Sequence, residues 1–272
     1  MSEDPQPIFP PEIEEIIFSL CAQNGVDENK NLTLVAKRVY QWLSPQLYEV
    51  AILHRAISAG RPKFSNDLMD KHGRHVRHLL FWDPTGFDAS LQDPGTCISL
   101  CPNIVDLALW GSRVDFDSGT LLDQLLGLRQ RLTRLSFGID SFHSAVTQLP
   151  ISTSISFISV THLELIGLEI TIKPDRIEEY FPSVTHLAFG EDKGLSANGI
   201  LDCWKDQLKV LILYLDPDSD DAFNIPNDPR IAVILEDSAF LQEWDEATED
   251  GSSSIWRRAE EMVKMRRQTG SS

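Results

Sequence analysis

The sequence predicts an α/β solenoid, in which short parallel strands alternate with helical return segments. Three observations lead to this fold class: the pentapeptide SVTHL occurs twice, an apolar pattern recurs at nearly constant steps, and amphipathic segments lie between its copies. The two pentapeptides, Ser159–Leu163 and Ser183–Leu187, begin 24 residues apart. Self-similarity at a period of about 20–50 residues indicates stacked structural units.

Both pentapeptides belong to a longer template: an apolar residue, two further residues, a second apolar residue, one residue and a third apolar residue. Its copies follow one another in steps of 28 and then 24 residues. They are Val76/Leu79/Phe81, Ile104/Leu107/Leu109, Leu132/Leu135/Phe137, Val160/Leu163/Leu165, Val184/Leu187/Phe189 and Leu208/Leu211/Leu213. We place an earlier copy at Leu47/Val50/Ile52 and a degenerate last copy around Val233 and Leu235. This spacing is the leucine-rich-repeat signature, whose period is about 20–29 residues.

The spacing predicts which residues point inward. In a strand the last two apolar positions lie on one face, and the residues between them lie on the other. Stacked copies therefore form a parallel sheet, with the return segments packed behind it. The segments DSGTLLDQLLGLRQRL, KPDRIEEYFP and LSANGILDCWKDQ have the periodicity of helical returns, and we expect Asp117 or Ser118 to cap the first of them. The repeats are irregular, because no asparagine recurs at the position of an internal ladder.

The two ends of the chain depart from the repeat pattern. PPEIEEIIFSLCAQ predicts an amphipathic helix that begins at Pro11 and carries an apolar stripe of Ile13, Ile16, Ile17 and Leu20. A polar loop, NGVDENKN, and a second helical stripe (Leu32, Val35, Val39, Trp42 and Leu43) follow, and we expect Pro45 to end that helix. At the other end, Ser254–Gln268 predicts a capping helix with Ile255, Trp256, Ala259 and Val263 on its apolar face. We divide the chain into 1–46, a helical segment, 47–235, the repeats, and 236–272, an acidic linker and the capping helix.

The N-terminal stretches FPPEIEEIIFSL and LTLVAKRVYQWLSPQLY resemble the F-box-like segment of basidiomycete fungal proteins, where it precedes irregular leucine-rich repeats. The ending from DPRIAVILED onward is similar to the C-terminus of the same group. The resemblance implies a substrate-recognition subunit of a cullin–RING ubiquitin ligase: the F-box-like helices dock a Skp-type adaptor and the repeats hold a protein substrate. Carried over by position, it implies that the adaptor-facing residues are Pro10, Pro11, Ile13, Ile16, Leu34, Val35 and Lys37. The alternative is a leucine-rich-repeat interaction scaffold without ligase association.

The residues that alternate out of the strands are candidates for binding a protein partner. Neighbouring strands lie about 4.8 Å apart, so equivalent positions form rows on the concave face. Aromatic and arginine side chains are frequent anchors of interfaces. The candidate strip consists of His78, Trp82, Asp106, Trp110, Arg134, His162, Glu164, His186 and Tyr214. The alternative is that the chain's own loops cover these residues, or that they are simply solvated.

Other candidate sites do not fit their chemistry. His162 and His186 alone supply fewer ligands than zinc requires. The stretch DPDSDDAFNIPND is not an EF-hand loop, because Asp221 stands where glycine is needed and Asn227 where glutamate is needed. The basic stretch KHGRHVRH is interpreted as a solvated turn. No nucleotide-binding, hydrolase, metalloprotease or kinase motif occurs, so we expect neither an enzyme nor a bound cofactor or metal.

Composition restricts the partners and the compartment. The 24 Lys and Arg residues face 41 Asp and Glu, a net charge of −17, which disfavours nucleic acid as a partner. No secretory signal and no long apolar span is present, so no membrane is expected. The 4 cysteines form no CxxC pair, and we interpret them as reduced thiols of a cytoplasmic or nuclear protein.

Overall fold

The repeated apolar template forms one parallel sheet. A computed structural model describes residues 9–22, 26–54, 66–83, 93–111, 120–147, 155–166, 172–190, 196–215, 225–235 and 255–269. In this part of the chain the sheet has eight strands that pair in chain order. Every neighbouring pair is parallel. The strands are β1 (Val50–His54), β2 (His78–Asp83), β3 (Asp106–Gly111), β4 (Arg134–Phe137), β5 (His162–Leu165), β6 (His186–Gly190), β7 (Val210–Leu215) and β8 (Ile231–Leu235).

Helices occupy most of the described return segments. The predicted returns are confirmed as α6 (Thr120–Leu128), α8 (Pro174–Tyr180) and α9 (Ala197–Cys203). The others are α4 (Asn66–His72), followed by a short 3₁₀ turn (Gly73–His75), α5 (Pro94–Leu100) and α7 (Ile139–Thr147). Successive strands pair directly with each other, and along the chain a helix connects most of them. The predicted α/β class is therefore confirmed, and the architecture is consistent with a solenoid.

The local sequence explains where two of these helices begin. The side chain of Asp93 accepts the backbone N–H of Thr96 at 2.9 Å, and the side chain of Ser196 accepts that of Gly199 at 3.1 Å. Such caps satisfy N–H groups that have no partner inside the helix. Pro94 also suits the first turn of its helix, because its ring presets the helical φ angle.

The predicted inward positions form the main core. All three template positions of β2 to β7 are at most 2% exposed. They belong to one hydrophobic cluster with residues of the return helices, such as Leu125, Ile177 and Ile200. Burying a Leu, Ile, Val or Phe side chain contributes roughly 1.5–3 kcal/mol, so this cluster is the main source of stability.

The first and last copies of the template lie at other positions than predicted. Ala51 pairs with Leu79 and Leu53 with Phe81, so the first copy is Tyr48/Ala51/Leu53, one residue beyond the predicted one. A shift of one residue exchanges the two faces of a strand, and Ile52 accordingly lies on the face opposite the main core. The prediction failed because β1 is apolar on both faces. In the last copy Ile231 and Val233 pair with Leu211 and Leu213, whereas Leu235 is 62% exposed.

Polar side chains also link neighbouring units through their turns. At five of these turns a polar side chain donates to a backbone carbonyl in the turn of the preceding unit, which supplies that carbonyl with a hydrogen-bond donor. Asn103 Nδ2 donates to the Arg74 carbonyl at 2.7 Å, and Ser159 Oγ donates to the Gln130 carbonyl at 2.8 Å. The same role is taken by Arg131 towards Pro102, Gln207 towards Pro182 and Arg230 towards Lys205.

The N-terminal segment consists of α1 (Pro11–Ala22), α2 (Val26–Thr33) and α3 (Lys37–Leu47). The predicted polar loop was wrong, because most of it forms α2. The predicted second stripe is divided: Leu32 lies in α2, Val35 in the following turn and the rest in α3. Pro45 does not end α3; it lies in the last turn, where the helix needs few further backbone bonds.

These helices have a small core of their own and rest on the first unit of the sheet. Ala22, Val39 and Leu43 are buried together in a cluster separate from the main core. The ring of Tyr48, just after α3, stacks on His72 with centroids 4.0 Å apart. His72 also contacts the Tyr40 hydroxyl through Nε2 at 3.1 Å. The interpretation of KHGRHVRH as a solvated turn was therefore wrong for His72, which joins the helical segment to the sheet.

The last described helix, α10 (Ile255–Thr269), packs on the sheet face opposite the main core. Its predicted apolar face is confirmed, since Ala259 is 0% and Val263 3% exposed. These residues contact a second apolar cluster formed by Ala188, Val210, Ile212, Tyr214, Ala232 and Ile234. Arg266 Nη1 also donates to the Ile231 carbonyl at 2.6 Å. No helix in the described ranges is both long and apolar enough to cross a bilayer.

Candidate functional site: two surfaces for partners

The helical segment exposes an unusual number of large apolar side chains. They lie along α1, just before it, and in the turn between α2 and α3. We call them the N-terminal patch: Phe9 (50% exposed), Ile13 (44%), Ile16 (56%), Ile17 (40%), Leu20 (59%), Leu34 (83%) and Val35 (62%). Single exposed apolar side chains are common on protein surfaces, whereas a contiguous group of them often marks an interaction surface.

One face of α1 packs against α3 and the segment's own core. Glu14 is 9% exposed, and its Oε2 lies 2.9 Å from Nη2 of Arg38 in α3. Phe18, four residues further along α1, shares this face and packs against the segment's own cluster, so Ile13, Ile16 and Leu20 remain exposed to solvent. The amphipathic helix predicted from the sequence is thus present with its apolar stripe facing out.

Every residue predicted to face an adaptor is exposed. Ile13 and Ile16 lie on α1, Leu34 and Val35 in the turn after α2, and Lys37 at the start of α3. Pro10 and Pro11 are exposed at the start of α1. The adaptor-facing set does not include Phe9, Ile17 and Leu20, which are exposed as well; helical spacing had already placed Ile17 and Leu20 on the apolar stripe.

The strip predicted on the sheet has the expected register. His78 pairs with Asp106, Asp106 with Arg134, Arg134 with His162 and His162 with His186. The first three interact through Asp106, which is 6% exposed. Its Oδ2 lies 3.3 Å from His78 Nδ1 and 3.8 Å from Arg134 Nη1. The aspartate is therefore held within the protein by its neighbours on both sides.

Glu164 is the centre of a second polar network on this face. It is 8% exposed, and it accepts hydrogen bonds from Ser136 Oγ and Tyr214 Oη, both at 2.6 Å. Ser136 in turn accepts the indole N–H of Trp110 at 2.6 Å. Buried carboxylates require such donors, because an unpaired one loses its hydration without compensation. The prediction omitted Ser136, which the alignment of the repeats places beside Glu164.

His162 and His186 form a stacked pair beneath α10. Their ring centroids are 4.2 Å apart with an interplanar angle of 9°, and the Trp256 ring meets His162 edge-on at 5.2 Å. His186 Nε2 lies 3.0 Å from Glu260 Oε1. Burial lowers the pKa of His162 to about 3, and the nearby His186 and Arg134 act in the same direction. The pKa of His186 is also lowered by burial, and Glu260 partly opposes this shift.

Both histidines are consequently neutral at physiological pH, and they serve as a flat platform for Trp256. Within the described ranges, no group of three or more His, Cys, Asp or Glu side chains could hold a metal ion. The contacts of this pair include ring stacking between the two imidazoles and the hydrogen bond from His186 to Glu260.

Much of the strip is occupied by the chain itself. Asp106, Trp110, Glu164, His186 and Tyr214 are buried, whereas His78, Trp82, Arg134 and His162 are partly exposed. This arrangement favours the alternative in which the chain covers the strip, at least beneath α10, and partner binding by the strip stays a prediction.

No protein-family model matches this chain, and a search of curated proteins gives no match either.

Proposed function

We propose that this protein is an F-box-like substrate-recognition subunit of a cullin–RING ubiquitin ligase. In this proposal the N-terminal patch docks a Skp-type adaptor, and the strand-and-helix units, interpreted as irregular leucine-rich repeats, hold a protein substrate. The chain itself performs no chemistry. The observation that supports the proposal best is the exposed apolar stripe of α1, together with the resemblance of these helices to F-box-like segments.

The physical argument concerns what an exposed stripe of this kind can bind. An apolar face with side chains at helical spacing is suited to a complementary groove on a partner. Transfer of a side chain such as Ile16 from water into that groove contributes roughly 1.5–3 kcal/mol. The segment's own cluster of Ala22, Val39 and Leu43 keeps the helices folded without the stripe, so the stripe is available for another protein.

The proposal is tested with the double variant Ile16→Asp and Val35→Asp. Two charges in the N-terminal patch should abolish capture of a purified Skp-type adaptor, because each carboxylate would have to be desolvated in the interface. A matched control is Ile158→Asp with Met265→Asp, since Ile158 is 57% and Met265 58% exposed and both lie outside the N-terminal patch. Melting temperatures of all variants confirm that they fold.

Retained adaptor capture by the folded patch variant would refute the proposal. If the unmodified protein does not bind the adaptor, the scaffold without ligase association is the better description. The proposal also implies a cytoplasmic or nuclear location. Cys97 and Cys101 are buried free thiols, and such a location would keep them reduced.

A further inference from the structure

A cavity at the amino-terminal edge of the sheet concentrates positive charge on an otherwise acidic protein. It has a volume of about 640 Å³ and lies between the end of α3 and the turns that precede β2, β3 and β4. We call it the arginine pocket. Its polar lining includes Glu49, Arg74, His75, Arg77, Asn103 and Arg131. The whole chain carries a net charge of −17, so composition gives no hint of such a site.

The arginines of this pocket are poorly neutralised. Among its lining residues Glu49 supplies the carboxylate, with Oε1 3.9 Å from Arg77 Nε, and both side chains are well exposed. Arg74 Nε donates to His75 Nε2 at 3.3 Å, and Arg131 donates to the Pro102 carbonyl. These acceptors are uncharged: burial and the neighbouring Arg74 lower the pKa of His75, and Pro102 contributes only its backbone. Among the described lining residues, three arginines therefore face one carboxylate, a local excess of positive charge.

A second charged cavity, about 890 Å³ in volume, shows the contrast. It lies beside β7 and β8, and its basic residues face acidic ones. Its lining includes Lys205, Lys209, Arg230 and Arg267 together with Asp202, Asp206 and Asp228. Arg230 is held by Asp228 through Nε and Nη2, at 2.9 Å and 2.8 Å. Positive charge there is largely neutralised within the protein, whereas in the arginine pocket it is not.

We propose that the arginine pocket binds a phosphate monoester. The planar guanidinium group donates in pairs to the oxygens of a phosphate, and a dianion matches an excess of positive charge better than a single carboxylate does. The volume exceeds what a phosphate group fills, so the organic part of the ester also has room. The negative charge on the rest of the protein would repel a long polyanion, so a compact anion fits this site better.

The phosphate can come from a phosphorylated side chain of a protein or from a small organic phosphate. Calorimetric titration of the full-length protein separates them with three probes: O-phosphoserine, a short Gly/Ser peptide with one phosphoserine, and the same peptide unphosphorylated. We expect saturable binding of the phosphorylated probes. Binding of the phosphopeptide about tenfold or more tighter than O-phosphoserine identifies a protein source, and equal affinity identifies a small phosphate.

Charge-reversal variants locate the binding. Arg77→Glu with Arg131→Glu should weaken the binding of the phosphorylated probes about tenfold or more. Lys173→Glu with Lys264→Glu is the matched control, because it changes the net charge equally at exposed positions outside the pocket, and its affinity should stay within about twofold. Arg131 also supports the neighbouring turn, so Arg74→Gln with Arg77→Gln provides a second variant that leaves that bond intact.

Three results would overturn the proposal: no binding of either phosphorylated probe, equal binding of the unphosphorylated peptide, or the same loss of affinity in the control as in the pocket variants. If the charge-reversal variant does not fold, the glutamine variant decides in the same way. The inference does not depend on the proposed adaptor docking, because the N-terminal patch and the arginine pocket share no residue.

Discussion

The stacked histidine pair predicts a specific dependence of stability on pH. His162 contacts the rings of His186 and Trp256, and burial is the main reason why its pKa is lowered from 6.5 to about 3. In the unfolded chain the same side chain regains its ordinary pKa. Between these two values the unfolded state binds more protons than the folded state, so stability must fall as the pH falls through this window.

The magnitude follows from the size of the shift. Each pH unit below the unfolded pKa costs about 1.4 kcal/mol for a histidine that stays neutral in the fold. Lowering the pH from about 7 to about 5 therefore removes about 2 kcal/mol of unfolding free energy through His162 alone. The lowered pKa of His186 adds to this loss in the same direction. Because small domains have about 5–15 kcal/mol in total, the effect is large enough to measure.

Urea denaturation at the two pH values provides the assay. The unmodified protein should lose about 2 kcal/mol more on acidification than the His162→Gln variant does. Val160→Ala is the control, because Val160 is fully buried in the same unit and the change destabilises the fold without removing a titratable group. Its pH dependence should match that of the unmodified protein. An equal loss in His162→Gln and in the unmodified protein would refute the reasoning.

Two further substitutions test the covered face of the sheet. Glu164→Gln should lower the unfolding free energy by about 1–3 kcal/mol in urea denaturation, because the amide replaces an acceptor of the Ser136 or Tyr214 hydroxyl with a donor. Glu179→Gln on α8, 59% exposed, should change it by less than about 0.5 kcal/mol, and an equal effect of both would contradict the network. Val263→Asp should detach α10, because it places a charge at a 3% exposed position. Faster hydrogen exchange in α10 and stronger binding of a dye that detects apolar surface would show the detachment. The control Met265→Asp should change neither measurement. Unchanged hydrogen exchange in Val263→Asp would disprove the packing.

The alternation of apolar residues was sufficient to predict the register of the central strands. Leu163 and Leu187, the ends of the repeated pentapeptides, pair with each other as the 24-residue step requires. The prediction failed at β1, where Val50 and Ile52 were expected inside and Ala51 lies there instead. With both faces of that strand apolar, alternation no longer distinguishes them, and the pairing partner β2 decides.

Of the two candidate surfaces, the N-terminal patch was expected from the sequence and the arginine pocket was not. Exposure of Ile13, Ile16, Leu34 and Val35 agrees with what the resemblance implied. The basic stretch KHGRHVRH contains Arg74 and Arg77, but the sequence did not predict the pocket, because Arg131 lies 57 positions after Arg74 and joins it only through the stacking of units.

The sequence by itself determined the repeat step, the inward residues of β2 to β7 and the apolar face of α10, because each depends on a local period of the backbone. Only the tertiary structure decided where α10 lies. The contact between Glu260 of α10 and His186 joins residues that are 74 positions apart in the chain. Burial of apolar surface drives the packing of Ala259 and Val263, and because this force is non-directional, the apolar face of the helix does not specify which surface it will cover. The same long-range packing turns much of the predicted strip into an internal network and leaves the N-terminal patch exposed to solvent.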